Sequence, residues 1–252
     1  MAKVKGPFKV TGTLGDYNYY EDKETRDTII RQKGGGFDGE TIKKSPRMEK
    51  VRENSSEFGS SSQVKGAFSQ AIRPLLRDIR GREIHSGLMR LFMGIKSCDS
   101  VSPRGARHIY RGLQTEKGRQ LLLTYCYPEY YSLPYVLQQP FAVDMDAFRF
   151  SCASLDSRMI DYPKYATHLG LTFGVVALDF SPVSAMAYWA EDYFLAKGSP
   201  PVSMSLAPTG LPEDSDAYLA VMGVRFYQEI NGVYSPLEIG RGYSVIGVSV
   251  EV

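Results

Sequence analysis

The sequence has few cysteines, and their spacing excludes two common kinds of cross-linked fold. Cysteine occurs three times, at Cys98, Cys126 and Cys152, with no Cys-x-x-Cys pair. Structural zinc sites and disulfide frameworks both need closely and regularly spaced cysteines. We therefore interpret the three thiols as reduced side chains of a reducing compartment.

Catalytic signatures are also missing. The three histidines, His85, His108 and His168, stand outside any familiar nucleophile or metalloprotease motif, and GxSxG, HExxH, P-loop and Rossmann patterns are absent. The glycine-rich stretch KGGGFDGE (33–40) lacks the Gly-Lys-Ser/Thr ending of a phosphate loop, so a plain loop is the preferred interpretation. We expect a protein that is not an enzyme and that has no cofactor or metal.

No hydrophobic run is long enough to span a membrane as a helix. The stretch LTFGVVAL (171–178) is far shorter than the roughly 18 apolar residues needed. The start MAKVKGPFKV is basic but is followed by no apolar segment of a Sec-type signal peptide. We expect synthesis in the cytoplasm, with export by another route left open.

Positive charge is scarce in the second half of the chain. Residues 1–120 contain 24 Lys and Arg and 14 Asp and Glu, a net charge of +10. Residues 121–252 contain 6 Lys and Arg and 14 Asp and Glu, a net charge of −8. Such asymmetry between halves indicates a charged partner or self-association.

The first sixty residues contain little that resembles a core. Alternating apolar residues, among them Phe8, Val10, Tyr17 and Tyr19, predict a hairpin over residues 6–34 with a polar turn at 21–27. The glycines of GGGFDG (34–39) predict a flexible connection. We interpret residues 1–60 as a basic arm.

Helical periodicity follows. Ser45 and Pro46 predict a helix start and Gly59 a helix end, with Glu53 and Glu57 on a solvated face. Apolar residues three and four apart predict a second helix with a break at Pro74, and then a third. The two apolar sets are Val64, Phe68, Ile72, Leu75, Leu76 and Ile79, then Ile84, Leu88, Leu91, Phe92 and Ile95.

From about residue 119 the pattern is that of strands. QLLLTYCY, FAVDMDAFRF, LTFGVVALDF, AYLAVMGVRFYQEI and SVIGVSVEV are strand-like, and Asn231-Gly232 predicts a hairpin turn. The predicted fold is α+β: an N-terminal hairpin arm and two or three helices, followed by a mainly antiparallel β-sandwich. The predicted domains are 1–60, 61–118 and 119–252.

Two carboxylate groups allow more than one interpretation. Asp144 and Asp146 are two residues apart, so on a strand they share a face and suit a calcium ion, a glycosidase pair or plain solvent exposure. The alternation of FAVDMDAF favours the solvent face. Asp214 and Asp216 lie in PEDSD, which is typical of a turn.

Sequence patterns at both ends of the chain resemble a known group. The patterns are G-T-L-G-D-Y-N-Y-Y (12–20), R-Q-K-G-G (31–35), R-E-N-S-S-E-F-G (52–59) and V-M-G-V-R-F-Y-Q-E-I-N-G-V-Y-S-P-L (221–237). Together they resemble a group of uncharacterised proteins found in Bacteroidota genomes. The resemblance implies a shared lineage and brings no activity or catalytic residue to transfer.

The favoured function is structural. A positive segment joined to a negative one predicts head-to-tail contact between copies, as in a filament, sheath or phage-like tail. The arm would add strands to the open sheet edge of a neighbour or fold back on its own sandwich, and the many tyrosines suit interfaces. The candidate self-association residues are Phe8, Val10, Tyr17, Tyr19, Tyr20, Arg31, Lys33, Phe37, Arg52, Arg73, Arg77, Asp144, Asp146, Asp214 and Asp216.

Two other functions stay open at this point. A carbohydrate- or peptide-binding sandwich would use aromatic loops such as YPEYYSLPY (127–135), whose rings suit stacking on sugars. Nucleic-acid binding would use arginines at helical spacing, Arg73, Arg77 and Arg80, with acids interspersed among them.

Overall fold

The computed structural model describes residues 2–4, 10–22, 25–33, 39–77, 82–129, 131–210 and 214–250. The chain divides into two compact units, Met1–Arg52 (unit 1) and Glu53–Val252 (unit 2). Phe8 and Phe37 lie outside the described residues, as does most of the predicted flexible connection. The three-part domain organisation stays a prediction, and its boundary at residue 60 falls inside a helix.

Unit 1 contains a four-stranded antiparallel sheet. Its strands lie in the order β1-β4-β3-β2. The bounds are β1 (Ala2–Val4), β2 (Gly12–Leu14), β3 (Tyr17–Glu21) and β4 (Thr28–Gln32). The pairing of β3 with β4 around the polar turn confirms the predicted hairpin. Gly12 and Gly15 have φ of +116° and +57°, values that glycine adopts without strain, so they shape the β2–β3 turn.

Seven α-helices lie within the described residues. They are α1 (Gly39–Lys44), α2 (Glu49–Ala71), α3 (Arg73–Leu76), α4 (Arg82–Lys96), α5 (Ile109–Gln114), α6 (Glu116–Leu123) and α7 (Leu133–Leu137), with 3₁₀ turns at Pro46–Met48 and Ser157–Met159. The predicted helix end at Gly59 is wrong, because α2 continues through it on tertiary contacts at Val64 and Phe68. The predicted break at Pro74 is confirmed, since Pro74 lies in the first turn of α3.

Unit 2 is built on a six-stranded antiparallel sheet. Its order is β10-β8-β12-β13-β5, and β9 also pairs with β8. The bounds are β5 (Cys126–Tyr127), β8 (His168–Phe180), β9 (Val183–Trp189), β10 (Tyr193–Ala196), β12 (Ala217–Ile230) and β13 (Val233–Val250). Asn231 and Gly232 have φ of +54° and +80°, which gives the predicted two-residue turn between β12 and β13.

A second, three-stranded sheet has the order β11-β7-β6. Its strands are β6 (Ala142–Asp144), β7 (Arg149–Leu155) and β11 (Val202–Leu206). Two strand predictions are wrong here. Residues 145–148 turn between β6 and β7 instead of extending FAVDMDAFRF. In QLLLTYCY, residues 120–123 belong to α6 and only Cys126 and Tyr127 form a strand, because Leu122 is buried in the core beneath the helices.

The six-stranded sheet is buried on both faces. One face packs against β7, β11 and α7 through residues that include Phe150, Phe173 and Phe226. The other face packs against α2, α4, α5 and α6 through residues that include Phe68 and Leu219. Unit 2 therefore has three layers, helices, large sheet and small sheet, and the α+β class with a β-sandwich is confirmed.

The predicted core residues divide between these two faces. Phe173, Val175, Val224 and Phe226 join the inter-sheet core, whereas Leu219 and Val221 join the core beneath the helices. Val143, Met145 and Val248 are partly buried at the edges. Of the helices that the structure describes, none is both long and apolar enough to cross a membrane.

The prediction that Glu57 is solvated is also wrong, because its side chain is 1% exposed. Arg107 Nε and Nη2 donate to its carboxylate at 2.8 and 2.9 Å, the Gly105 N–H donates at 2.7 Å, and Lys96 Nζ completes the set. Desolvation raises the pKa of Glu57, but these hydrogen bonds outweigh it and lower the pKa from 4.5 to about 2. The network ties α2 to α4 and to the 97–108 loop.

Asp99 holds the same loop from the other side. Its carboxylate accepts hydrogen bonds from the backbone N–H groups of Val101, Ser102 and His108, at 2.9 to 3.0 Å. Burial raises the pKa of Asp99, but these donors lower it well below its usual range. His108 thus contributes its backbone here.

Candidate functional site

The described candidates of unit 1 lie mostly on its surface. Val10, Tyr17 and Tyr20 are exposed and Tyr19 is half-buried, and the cations Arg31 and Lys33 are exposed as well. Exposed Leu14 adds another apolar side chain, on β2. Among the described strands β2 pairs only with β3, so its other edge is open to a further strand.

Arg52 stabilises the backbone of the connection between α1 and α2. Its Nη1 donates to the carbonyl oxygens of Ile42 and Ser45 at 2.7 and 2.9 Å. These carbonyls follow the last turn of α1, where backbone acceptors lack helical partners. The half-buried guanidinium therefore fastens α1 to the start of α2 and is poorly placed to contact another copy.

The four candidate aspartates of unit 2 gather at one end of the six-stranded sheet. The β6–β7 turn carries Asp144 and Asp146, and Phe148 from this turn lies 5.1 Å from the ring of Tyr218. Asp214 and Asp216 immediately precede β12. We call Asp144, Asp146, Asp214, Asp216 and Asp179, at the end of β8, the acidic end.

Three members of the acidic end hold the backbone in place. Asp144 Oδ1 accepts from the N–H groups of residues 146 and 147 at 3.0 and 2.9 Å. Asp216 Oδ2 accepts from Phe180 N at 2.8 Å, and Asp179 Oδ2 accepts from Ser184 Oγ at 2.8 Å. The calcium and glycosidase interpretations of Asp144 thus give way to a turn-capping role.

Asp146 and Asp214 are exposed members of the acidic end. Arg149, the cross-strand partner of Asp144, is the nearest cation along the same turn. The five carboxylates of the acidic end make it negative. Asp146 and Asp214 are the members best placed to meet a cationic partner.

Further along the same sheet lies a cleft of about 410 Å³ that we call the arginine cleft. Its defining residues are Arg77, Arg225 and Arg241, together with Thr172, Asp192 and Tyr227. Thr172 Oγ1 donates to Asp192 Oδ1 at 2.6 Å. Three guanidinium groups and one carboxylate give the lining a net charge of +2.

The sheet register explains why the cleft exists. Arg225 faces Gly170 on one neighbouring strand and Arg241 on the other. A Cβ on Gly170 would lie 2.6 Å from the ring of Tyr227, and one on Gly223 would lie 2.5 Å from Leu75 Cδ2. Because Gly170 has no side chain, the ring of Tyr227 can lie over β8, and because Gly223 has none, Leu75 of α3 can lie against β12. The cleft lies beside α3, where the helical layer ends.

Placing Arg225 opposite Arg241 costs stability, because like charges directly across a strand pair repel. Arg225 also makes a cation–π contact with Tyr227, 5.9 Å from guanidinium to ring centre. Arg77 approaches from the helical side, and exposed Arg73 lies next to the cleft residue Pro74. The cleft is therefore a cationic socket suited to carboxylate or phosphate oxygens.

The acidic end and the arginine cleft lie at different positions along β12. Arg225 follows Asp216 by nine residues along extended backbone, which corresponds to about 30 Å. Periodicity in the sequence located Asp146, Asp214 and Arg77 but missed Arg225 and Arg241. The signal for Arg225 was present: an arginine interrupts the buried alternation Leu219, Val221 of β12.

A smaller pocket of about 250 Å³ is lined by tyrosines. Tyr131 and Tyr135 have ring centres 6.4 Å apart, and Tyr135 is 62% exposed. Beside them, Gln138 Nε2 donates to Asp161 Oδ2 at 3.1 Å. Exposed rings next to an amide and a carboxylate are the groups that bind sugars.

Metal ligation finds no support in the described part of the chain, where no three His, Cys, Asp or Glu side chains lie close enough to hold an ion. Cys126 and Cys152 are buried and Cys98 is half-buried, all with free thiols. Desolvation raises the pKa of the Cys126 thiol, which keeps it protonated and unreactive.

Comparison of the chain with protein-family models, with curated proteins and with solved structures found no match.

Proposed function

We propose that this protein is a non-enzymatic structural protein that self-associates head to tail, with the acidic end of one copy docking at the arginine cleft of the next. The observation that carries the proposal is the separation of opposite charges along a single rigid sheet. Complementary surfaces on different parts of one molecule make a heterologous contact, which closes into a ring or continues as a filament.

The free energy available from these charge contacts is too small to hold two copies together without a second contact. Exposed ion pairs contribute at most about 1 kcal/mol each, so three arginines would supply about 3 kcal/mol. That free energy corresponds to a dissociation constant of several millimolar, roughly. The charges therefore set direction and register, and a further contact must provide most of the affinity.

Unit 1 offers an open strand edge and exposed apolar side chains for this second contact. The outer edge of β2 is open among the described strands, and Val10, Leu14, Tyr17 and Tyr20 are exposed around it. A strand of another copy added at this edge would form main-chain hydrogen bonds and cover the apolar side chains. This use of unit 1 accounts for a leading segment with so little core of its own.

Charge reversal tests the proposal directly. We expect Arg77→Glu and Asp146→Lys each to abolish large particles in light scattering, because each places like charges at the contact. Mixing the two variants should restore association between them, since the new carboxylate at position 77 of one variant can pair with the new ammonium at position 146 of the other. Arg111→Glu, on an exposed face of α5, is the matched control and should assemble normally. Failure of the mixture to associate, with both variants folded, would overturn the head-to-tail contact.

The tyrosine pocket favours a second function, carbohydrate binding by unit 2. The observation behind it is the exposed ring of Tyr135 beside the Gln138–Asp161 hydrogen bond. An oligosaccharide that raises the melting temperature of the wild type but not of a Tyr135→Ala variant would support it. A monomeric wild type with such a shift would replace self-association as the function.

A further inference from the structure

We infer that the arginine cleft is also a binding site for a small molecule with two linked phosphate groups, which competes with the neighbouring copy for the same residues. This inference deepens the proposed function, because the ligand would release the head-to-tail contact. The binding itself depends only on the cleft and does not require that the protein assembles.

The cleft has the donor set that a diphosphate needs. Arg225 and Arg241 are half-buried and directly opposed in the sheet, so their two guanidinium groups can contact the same oxyanion. Guanidinium groups bind phosphate oxygens through two parallel hydrogen bonds. Arg77, from the helical side, is placed for a second phosphate group.

Size and polarity favour a diphosphate over a single small anion. The cleft volume of about 410 Å³ is in the range of sites for small organic ligands. The carboxylate of Asp192, which accepts a hydrogen bond from Thr172 Oγ1, neutralises one of the three positive charges of the described lining residues. The lining keeps a positive charge. Tyr227 and Pro236 line the cleft beside the arginines.

The occupied site would regulate assembly. A carboxylate of the incoming acidic end and a phosphate of the ligand both need the same guanidinium groups. Since Arg binds phosphate at least as well as carboxylate, the free ligand displaces the weaker exposed contact. Self-association would then fall as the concentration of the diphosphate rises.

The test uses inorganic pyrophosphate as the probe, with sodium sulfate at matched ionic strength as the control for screening. Calorimetry on the full chain should show one saturable site for pyrophosphate and about ten-fold weaker binding of sulfate, whose single anionic group can contact only part of the cleft. Arg241→Gln and Arg77→Gln should each weaken binding about ten-fold, because each removes a charge-assisted hydrogen bond. Arg77 is exposed, so its variant is expected to fold, and Arg111→Gln should bind as the wild type does.

An Asp146→Lys variant separates this inference from the proposed function. It should not assemble, yet it should bind pyrophosphate with the affinity of the wild type. Equal binding by the wild type and Arg77→Gln, or equal competition by sulfate, would overturn the inference even if assembly needs Arg77. Pyrophosphate binding by a wild type that never assembles would uphold the site and overturn the proposed function alone.

Discussion

Replacing Glu57 by Gln tests the buried network that joins α2 to α4 and the 97–108 loop. The change removes a charge from a carboxylate that is 1% exposed and leaves Lys96 Nζ, 5% exposed, without its ion partner. Breaking a buried pair from one side costs about 3 to 5 kcal/mol. The lowered pKa of Glu57, from 4.5 to about 2, corresponds to about 3 kcal/mol by linkage.

The assay is urea unfolding at pH 7, followed by the fluorescence of Trp189, the single tryptophan of the chain. Trp189 reports on unit 2, because its ring lies against Gly174 of β8. The matched control is Glu53→Gln, one turn earlier on α2. Glu53 pairs with Arg104 at 3.2 Å near the surface, so we expect a loss below about 1 kcal/mol.

A double variant tests whether the unpaired Lys96 causes the loss of stability in Glu57→Gln. Adding Lys96→Met to Glu57→Gln removes the stranded cation and should recover most of the lost stability, since apolar replacement of a buried pair is often neutral. If Glu57→Gln costs no more than Glu53→Gln, the network contributes little and the account of the helical layer is wrong.

The remaining predictions concern pH, two glycines and the leading segment. Because the pKa of Glu57 is depressed, its contribution is complete above pH 4.5 and is lost as pH falls toward about 2, so the Glu57→Gln variant should show a flatter pH profile of unfolding free energy in that window. Gly112→Ala should destabilise by about 3 kcal/mol or more in urea unfolding, since the new Cβ would lie 2.1 Å from the Ile95 carbonyl oxygen. Gly59→Ala, with open space around it in α2, should instead stabilise by about 0.5 to 1 kcal/mol, and a loss would contradict the continuous helix. Deleting residues 1–44 should remove large particles in light scattering while the Trp189 unfolding transition survives, and unchanged particles would exclude unit 1 from the contact. Salt at 1 M should also raise the protein concentration at which particles form, because exposed charge contacts are screened.

Much of the fold was predictable because local pattern and tertiary packing agree there. The α4 face from Ile84 to Ile95 and the Asn231-Gly232 turn depend on short-range signals that packing does not override. The burial of Glu57 was not predicted because a charged residue on a helix is usually exposed to solvent. Its burial is favourable only because Arg107 and Lys96, 50 and 39 residues away in sequence, donate hydrogen bonds to its carboxylate.

The arginine cleft was unpredictable for a related reason. Arg225 and Arg241 meet only through the register of β12 and β13, which depends on the bulges in that hairpin. Gly170 and Gly223 make room for Tyr227 and Leu75, and neither glycine differs in sequence from one in an ordinary strand. Their effect depends on which side chains approach from other elements.

The sequence by itself determined the α+β class, the main hairpin turns and the opposite net charges of the two halves, because each depends on composition or on neighbours in the chain. Only the tertiary structure decided where those charges lie. Strand pairing collected distant aspartates at one end of a sheet and arginines about 30 Å along it, and burial made a network of Glu57. Contacts between residues far apart in sequence depend on register and packing, which no local pattern encodes.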